Sequence, residues 1–151
     1  MFQDEARFGR ITEPNRSWAP KGMRPISSQQ IIREYTYAYG VVSPEDGVFD
    51  GLILPAMDTL AMNIFLKEIS ERHSGDYILM VADGAACHRS KDLQLPENIE
   101  ILQLPPYSPV LNPVENLWDE MREKWFGNTV FKSMEAVEDR LVTALLDFES
   151  D

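Results

Sequence analysis

An uninterrupted apolar run at residues 77–82 (Tyr-Ile-Leu-Met-Val-Ala) constrains the fold of this chain more than any other segment. A strand without a polar face is typical of the centre of a sheet that is covered on both sides. Asp83 follows the run directly. Sites in open α/β sheets collect at the carboxyl ends of strands, which makes Asp83 a candidate site residue. Asp83-Gly84 is also a common turn pair, and that interpretation stays open.

The remaining segments predict a five-stranded mixed sheet of the α/β class with helices on its faces. An antiparallel meander is expected first, and a crossover helix then leads to the apolar run. The predicted strands are the first few residues, which hold Asp4, and residues 35–42, 48–54, 77–82 and 99–104. The predicted helices cover about residues 59–73, capped by Asp58, a stretch from Asn112 through Trp125, and about residues 133–148. Residues 9–25 are predicted to form a loop rich in Pro, Gly and Arg.

The size and composition of the chain indicate one folded domain, expected to cover residues 1–151. Its hydrophobic fraction is 44%, which argues against a disordered segment. The single cysteine, Cys87, allows no internal disulfide and no cysteine-based zinc set, so a reducing compartment is expected. No segment approaches membrane-spanning length, and no leader is apparent at the start. We therefore expect a protein of the cytoplasm with no membrane partner.

A net positive balance is found only at the beginning of the chain, although the net charge is −11. Residues 1–40 carry six Lys/Arg and four Asp/Glu, a balance of +2, and the rest carries eight and 21, a balance of −13. A nucleic-acid-binding protein needs a local positive surface. Only the first 40 residues supply one, so this domain alone should bind DNA weakly.

Asp4 and Glu5 form an acidic pair near the start of the chain. Neighbouring residues of a strand point to opposite faces of the sheet, so at most one of the two faces a site at its edge. The competing interpretation is an exposed acid at a fraying terminus. His88, five residues after Asp83, is a candidate for contact with metal-bound water, a phosphate or Asp83, and equally a surface residue.

Glu115 lies in the first turn of the predicted helix that Asn112 caps and Pro113 opens. One interpretation is structural, because Asn-x-x-Glu is close to a capping box, in which the glutamate bonds back to the cap. The other is functional, because Glu115 lies at the edge of the apolar stripe of this helix and can reach across the sheet. Both interpretations stay open.

A two-metal phosphoryl-transfer site requires several carboxylates held on rigid elements. The chain offers two aspartates that end strand-like runs and a glutamate on the first turn of a helix. Hard cations such as Mg²⁺ prefer carboxylate oxygens, and rigid elements must hold those oxygens around the scissile phosphate. If Asp4, Asp83 and Glu115 converge, the chain cuts and joins nucleic acid.

Read together, four segments resemble the catalytic domain of a DDE transposase, of the mariner-like group and its bacterial insertion-sequence relatives. They are Phe-Gln-Asp-Glu-Ala-Arg-Phe-Gly from Phe2, Trp-Ala-Pro-Lys-Gly from Trp18, the strand that ends in Asp83 with His88 after it, and Leu-Pro-Pro-Tyr-Ser-Pro-Val-Leu-Asn-Pro-Val-Glu-Asn-Leu-Trp from Leu104. The match runs in order over about residues 2–125. The proline-rich string that leads to Glu115 is highly specific.

This resemblance implies a ribonuclease H-like fold with Asp4, Asp83 and Glu115 as the catalytic, metal-binding triad. Glu5, His88 and Asn112 would be auxiliary residues. The implied cofactor is Mg²⁺, with Mn²⁺ as a substitute, bound as two ions. The implied chemistry is hydrolysis at transposon ends, followed by attack of the freed 3′-hydroxyl on target DNA. The implied partners are double-stranded DNA and a second copy of the chain, with nucleoid association in a bacterial cytoplasm.

The resemblance also makes the basic N-terminal stretch a candidate for contact with DNA or a partner subunit. Its candidate residues are Arg7, Arg10, Arg16, Trp18, Lys21 and Arg24. The competing interpretation of Trp18 is a tryptophan that plugs the packing of a loop.

The sequence departs from the family pattern in three respects. Gly84 stands where many relatives have Asn, and the 31 residues between Asp83 and Glu115 are slightly fewer than in well-known members. The helix-turn-helix region that recognises transposon ends is expected to be absent from this domain, so end recognition would reside elsewhere.

Two other functions stay open from the sequence. One is a ribonuclease H or junction resolvase on a similar fold, against which the proline-rich approach to Glu115 argues. The other is a non-catalytic remnant of a transposase that acts as an assembly module, against which the intact Asp4, Asp83 and Glu115 argue. A glycosidase-type carboxylate pair lacks the aromatic sugar-binding cleft that it would need.

Overall fold

A computed structural model describes residues 1–12, 15–84, 90–105 and 111–150 of the chain. The predicted order of strands and helices is confirmed. The elements are β1 Phe2–Ile11, β2 Ile31–Ser43, β3 Val48–Leu54, α1 Thr59–Arg72, β4 Ile78–Ala82, β5 Ile99–Gln103, α2 Val114–Met121, a π-helical turn Arg122–Phe126, and α3 Met134–Glu149. No helix within these described residues is both long and apolar enough to cross a membrane.

The five strands form one mixed sheet in the order β3-β2-β1-β4-β5, with β1 at its centre. The meander β1–β2–β3 is antiparallel, whereas β4 runs parallel to β1 and β5 parallel to β4. The predicted hairpin of β2 and β3 is confirmed, and Gly47 occupies the positive φ of 74° in its turn. Crossover connections bring the carboxyl ends of β1 and β4 to the same edge of the sheet.

β1 and β2 both extend further than predicted, and β1 enters the segment 9–25 that was expected to be a loop. β1 continues to Ile11 and β2 begins at Ile31, because Gly9 pairs with Tyr35 and Ile11 with Ile31 across an irregularity in the register. Pairing between strands supplies hydrogen bonds to residues whose local composition favours no strand.

Helices cover both faces of the sheet, as predicted. On one face, α2 and α3 pack on β1, β2 and β3, and on the other α1 packs below the sheet. The buried residues of the first core include Ala6, Phe8, Trp118, Met121 and Leu141. Those of the second include Tyr39, Met62, Phe65, Leu66 and Met80.

The prediction that β4 is covered on both faces is wrong. Ile78, Met80 and Ala82 are buried against the α1 side, but Leu79, on the opposite face, is 47% exposed. α2 and α3 lie over the β1–β3 half of the sheet. The apolar run therefore predicted the strand correctly, but it did not predict that one face of this strand is left partly exposed.

The stripe predicted for the helix after Asn112 is confirmed: Val114, Trp118 and Met121 are buried, and Leu117 and Trp125 are partly buried and pack against the same core. The π-helical turn after α2 holds one more residue than an α-helical turn, which shifts the phase of the residues that follow. Phe126 is consequently buried at 6% exposure, while Trp125 is half-buried. The predicted cap at Asp58 is confirmed, because its Oδ1 accepts from Ala61 N–H at 2.8 Å; at α3, Ser133 Oγ accepts from Ala136 N–H at 3.2 Å.

Candidate active site

Asp4 lies in the middle of the sheet and is 8% exposed. Ala6 and Phe8, which share its face of β1, belong to the core beneath α2 and α3, so the Asp4 carboxylate faces that layer. There the indole Nε1–H of Trp118 donates a hydrogen bond to Asp4 Oδ2 at 3.1 Å. The prediction of an exposed acid at a fraying terminus is therefore wrong.

Gly40 makes room for this contact from the neighbouring strand. It is the partner of Asp4 in the β1–β2 register, and a Cβ on it would lie 2.7 Å from the Trp118 ring. A side chain there would displace the indole that donates to Asp4.

Asp83 follows β4, beside β1. Phe2 and Val81 are partners in the parallel register, and the Met1 carbonyl accepts from Val81 N–H at 2.8 Å. Asp4 and Asp83 each lie two residues beyond that pair, which puts them at the same level and on the same face. Asp83 is exposed, whereas Asp4 is buried.

Glu115 is brought to the same region by a direct tie between α2 and β1. Asn112 Nδ2 donates to the Gln3 carbonyl at 3.0 Å, and Asn112 Oδ1 accepts from Val114 N–H at 3.2 Å. Asn112 thus caps the helix and joins it to the strand that carries Asp4. In the described part of the chain, the Glu115 carboxylate accepts no hydrogen bond from the Asn112 backbone, so the predicted capping box is not formed.

The electrostatics of Asp4 connect all three predicted acids. Its pKa is raised from 3.8 to about 7, first by burial, then by the charges of Glu115 and Glu5, and to a smaller extent by Asp83. A hydrogen bond from the Glu5 backbone opposes this rise. Burial and like charges both disfavour the ionised form of a carboxyl group. The three predicted residues therefore share one electrostatic neighbourhood.

The donor set fits a hard divalent cation in its chemistry, because carboxylate oxygens are the ligands that Mg²⁺ and Mn²⁺ accept. Within residues 1–12, 15–84, 90–105 and 111–150, no group of three or more His, Cys, Asp or Glu side chains is arranged to hold a metal ion. The assignment of Asp4, Asp83 and Glu115 as metal ligands stays a prediction.

The predicted auxiliary residues have different outcomes. Glu5 is half-buried on the opposite face of β1 from Asp4, and acts on Asp4 through its charge. His88 lies outside the described residues. Asn112 is a structural tie, as described above.

Sequence reasoning missed Gln3 and treated Trp118 as a core residue alone. Gln3 is completely buried, its carbonyl anchors Asn112, and neither polar atom of its side-chain amide has a hydrogen-bond partner in the described structure. A glutamine within a strand, directly before a candidate aspartate, was the available signal. For Trp118, the available signal was its position three residues after Glu115, which places both residues on the same side of a helix.

Two of the predicted basic residues, Arg7 and Arg10, lie on β1 and contact other residues of the domain. Arg10 is used inside the domain: it pairs with Glu34 at 2.8 Å and donates from Nε to the Phe131 carbonyl at 3.1 Å. Arg7 is exposed and lies over the Tyr35 ring at 4.4 Å. Arg10 is therefore a poor candidate for contact with a partner.

Arg16, Lys21 and Arg24 are exposed in the β1–β2 connection. Trp18 in the same segment is fully exposed, so the interpretation that it plugs the packing of a loop is wrong.

A candidate carboxylate site is formed by a buried aspartate on the central strand, a second at the end of the adjacent parallel strand and a glutamate on the covering helix. The sequence model described as DDE superfamily endonuclease matches residues 1–138. The chain belongs to this family. It is also 40% identical over 104 residues to the uncharacterized protein y4pE/y4sA of Sinorhizobium fredii, a match that covers 68% of this chain and 77% of that protein.

Solved structures of Mos1 transposase share the fold, which is ribonuclease H-like as predicted. The pre-cleavage Mos1 transpososome aligns with a TM-score of 0.73 at 17% identity, over 98% of this chain and 49% of that chain. The Mos1 transposase paired-end complex with left transposon end gives 0.69 at 19% identity, over 96% and 47%. The chain thus spans about half the length of these transposases. Family and fold together support a transposase-type function.

Proposed function

We propose that this domain catalyses divalent-metal-dependent cleavage of DNA strands at transposon ends and transfer of the freed 3′-hydroxyl into target DNA. The observation that carries the proposal is the pKa of Asp4, raised to about 7 by burial, by the charges of Glu115 and Glu5 and, to a smaller extent, by the charge of Asp83. Strongly perturbed carboxyl groups collect at functional sites. A structural role for Asp4 alone gives no reason to gather further acids around a buried one.

Asp4, Asp83 and Glu115 would hold Mg²⁺ or Mn²⁺, as two ions. When bound, such ions activate an attacking oxygen and stabilise the leaving oxygen of a phosphoryl transfer. Complexes of Mos1 transposase with Mg and with Mn support this choice of cation.

The side chains of the domain have distinct tasks in this proposal. The Trp118 indole N–H orients the Asp4 carboxylate through its hydrogen bond to Oδ2. Asn112 sets the start of α2 relative to β1, and thereby the position of Glu115. Asp83 is exposed at the end of β4, where a phosphate can approach it. Fixed positions of this kind lower the reorganisation needed during the reaction.

The proposed substrate is double-stranded DNA, and the proposed active complex contains two copies of the chain. Support comes from the family and from the Mos1 complexes, which contain a transposon end and are described as paired-end. The exposed cations of the β1–β2 connection offer a surface of suitable charge in an acidic chain.

The test is nicking of supercoiled plasmid DNA in the presence of Mn²⁺, which requires no knowledge of the element's end sequences. We expect the wild-type domain to nick the plasmid, and Asp83→Asn and Glu115→Gln to lose the activity while keeping their unfolding midpoints. Glu120→Gln is the matched control, because Glu120 is an exposed glutamate on the same helix. It should retain full activity.

Equal nicking by the wild type, Asp83→Asn and Glu115→Gln would contradict the proposal. Preferential cleavage of RNA–DNA hybrids or of four-way junctions, with the same dependence on the carboxylates, would instead assign the site to a ribonuclease H or a resolvase.

A further inference from the structure

The connection between β1 and β2 forms a long arm, defined here as residues 15–30, whose tip stands away from the domain. Trp18 and Ile26 are fully exposed, and Met23 is 67% exposed. A cleft of about 540 Å³ separates the first leg of the arm from the end of α2, and Arg16, Asp119, Arg122 and Glu123 line it. Packing against the described domain therefore does not hold the tip in place.

Asn128 holds the two legs of the arm together. Its Oδ1 accepts from Asn15 N–H at 3.0 Å and from the Ser27 hydroxyl at 3.2 Å. Its Nδ2 donates to the Asn15 carbonyl and to Ser17 Oγ, both at 3.2 Å. A side-chain amide offers two acceptor positions and two N–H donors, and all four are used here.

The backbone around Asn128 is shaped for this task. Asn128 has a φ of 54° and is the one non-glycine residue with positive φ in the described part of the chain. Asparagine tolerates this conformation better than most residues, and strained backbone of this kind persists where the surroundings require it. At the preceding residue, a Cβ on Gly127 would collide with Asn15 Nδ2. The side chain of Asn15, at the start of the arm, thus lies directly against this turn.

The same turn connects the arm to the candidate active site. α2 begins at the tie to β1 beside Glu115 and continues through the π-helical turn to Gly127 and Asn128. Two further hydrogen bonds fix the base of the arm, from Phe131 N–H to Gln30 Oε1 at 3.1 Å and from the Thr12 hydroxyl to the Thr129 carbonyl at 3.5 Å.

The charge of the arm indicates its partner. Residues 15–30 contain three cations, Arg16, Lys21 and Arg24, and no Asp or Glu, in a chain whose net charge is −11. All three are exposed beside the exposed Trp18. Exposed cations next to an aromatic ring match the phosphates and bases of nucleic acid.

We propose that Asn128 is a positioning residue that pre-orders the arm for contact with the phosphate backbone of DNA. The choice of DNA as the partner rests on the proposed function, whereas the anchoring of the arm does not. A pre-ordered arm loses less conformational entropy on binding, so its anchor contributes to affinity without touching the DNA.

Two measurements on the intact domain test this proposal. The first is the rate of trypsin cleavage at the Lys21–Gly22 bond, and the second is affinity for a short fluorescent duplex of mixed sequence at low salt. Asn128→Gly keeps the left-handed backbone but removes all four hydrogen bonds, and should speed cleavage at least about fivefold. It should also weaken duplex binding at least about threefold, while the thermal unfolding midpoint stays near that of the wild type.

Neighbouring serines provide a matched pair of variants. Ser27→Ala removes one hydrogen bond to Asn128 and should give part of both effects. Ser28→Ala removes a hydroxyl that makes no contact with Asn128 and should change neither measurement. Lys21→Ala should weaken duplex binding and reduce its salt dependence.

Unchanged trypsin cleavage in Asn128→Gly would overturn the anchoring. Faster cleavage with unchanged duplex affinity, or no binding of the duplex by the wild type, would overturn the role in DNA contact. Loss of self-association in Asn128→Gly, with unchanged duplex affinity, would assign the arm to a second copy of the chain. Failure of plasmid nicking alongside intact effects on the arm would contradict only the proposed active site.

Discussion

The indole N–H of Trp118 donates a hydrogen bond to Asp4 Oδ2 at 3.1 Å, joining residues 114 positions apart in the interior of the domain. This contact fixes the orientation of the Asp4 carboxylate whose pKa burial and neighbouring acids raise to about 7. Because the contact joins α2 to β1 in the interior of the domain, substitution of either residue should change the stability of the domain measurably.

Replacement of Trp118 by Phe should destabilise the domain by about 1–3 kcal/mol, because it leaves the buried Asp4 carboxyl group without its donor. Urea denaturation at neutral pH measures the effect. The matched control is Trp125→Phe, since Trp125 Nε1 is buried but has no hydrogen-bond partner in the described structure. A loss of stability from Trp125→Phe as large as that from Trp118→Phe would show that ring packing, and not the hydrogen bond, sets the effect.

The stability of the metal-free domain should fall as pH rises between about 4 and 7, because Asp4 ionises in the unfolded chain before it ionises in the folded one. Its pKa rises from 3.8 to about 7 on folding. In this window the folded state keeps a proton on Asp4 that the unfolded state has lost. The contribution of Asp4 to the free energy of unfolding therefore falls across the window by at most about 4 kcal/mol. Below this pH range, Asp4 is protonated in both the folded and the unfolded state. Above it, the stability that protonated Asp4 contributes is lost completely.

Asp4→Asn should remove this contribution, because asparagine does not ionise and its carbonyl can still accept from Trp118. Denaturation curves across the window should show the variant more stable than the wild type above about pH 7. An equally steep decline in the variant would assign the pH dependence to other groups.

Mg²⁺ or Mn²⁺ should raise the thermal unfolding midpoint of the wild type above about pH 7, where Asp4 is ionised and a bound cation offsets the repulsion among the carboxylates. A cation present at 100 times its dissociation constant adds about 2.7 kcal/mol. Asp83→Asn should reduce the shift, whereas Glu120→Gln, which changes an exposed glutamate on α2, should retain it. The same shift in Asp4→Asn as in the wild type would contradict cation binding at this site.

Gly40→Ala should destabilise the domain by about 1–3 kcal/mol through overpacking. The added Cβ would lie 2.7 Å from the Trp118 ring and 3.0 Å from Phe49, and both rings are held in the core. Gly75→Ala is the control, because no atom lies within 4 Å of a Cβ at that position. Equal stability of the two variants would mean that the Trp118 ring moves aside at little cost.

Much of the fold was predictable because its signals are local. The apolar spacing and Asp58 gave α1 to within one residue, and β3 matched its predicted bounds. What could not be predicted depends on pairing between distant residues. β1 and β2 are longer than their composition indicates because each supplies the hydrogen bonds of the other. Leu79 is exposed because α2 and α3 stop short of β4.

The candidate site shows the same division. The contexts of Asp4, Asp83 and Glu115 made them candidates, and the motifs around them indicated the family that the sequence comparison shows. The capping box, one of two interpretations of Glu115, did not form; instead Asn112 joins α2 to Gln3 through its side-chain Nδ2 and caps the helix through its Oδ1. A competition between local and distant hydrogen bonds is not visible in the spacing of residues.

By itself the sequence determined the order of the elements and the helix caps at Asp58 and Asn112, and it indicated the candidate acids, because each of these depends on residues that lie close together in the chain. Only the tertiary structure decided that Asp4 is buried beneath Trp118 with a raised pKa, and that Asn128 ties together arm residues 101 to 113 positions away. Desolvation and long-range hydrogen bonds arise from how the chain packs, and no local pattern encodes them.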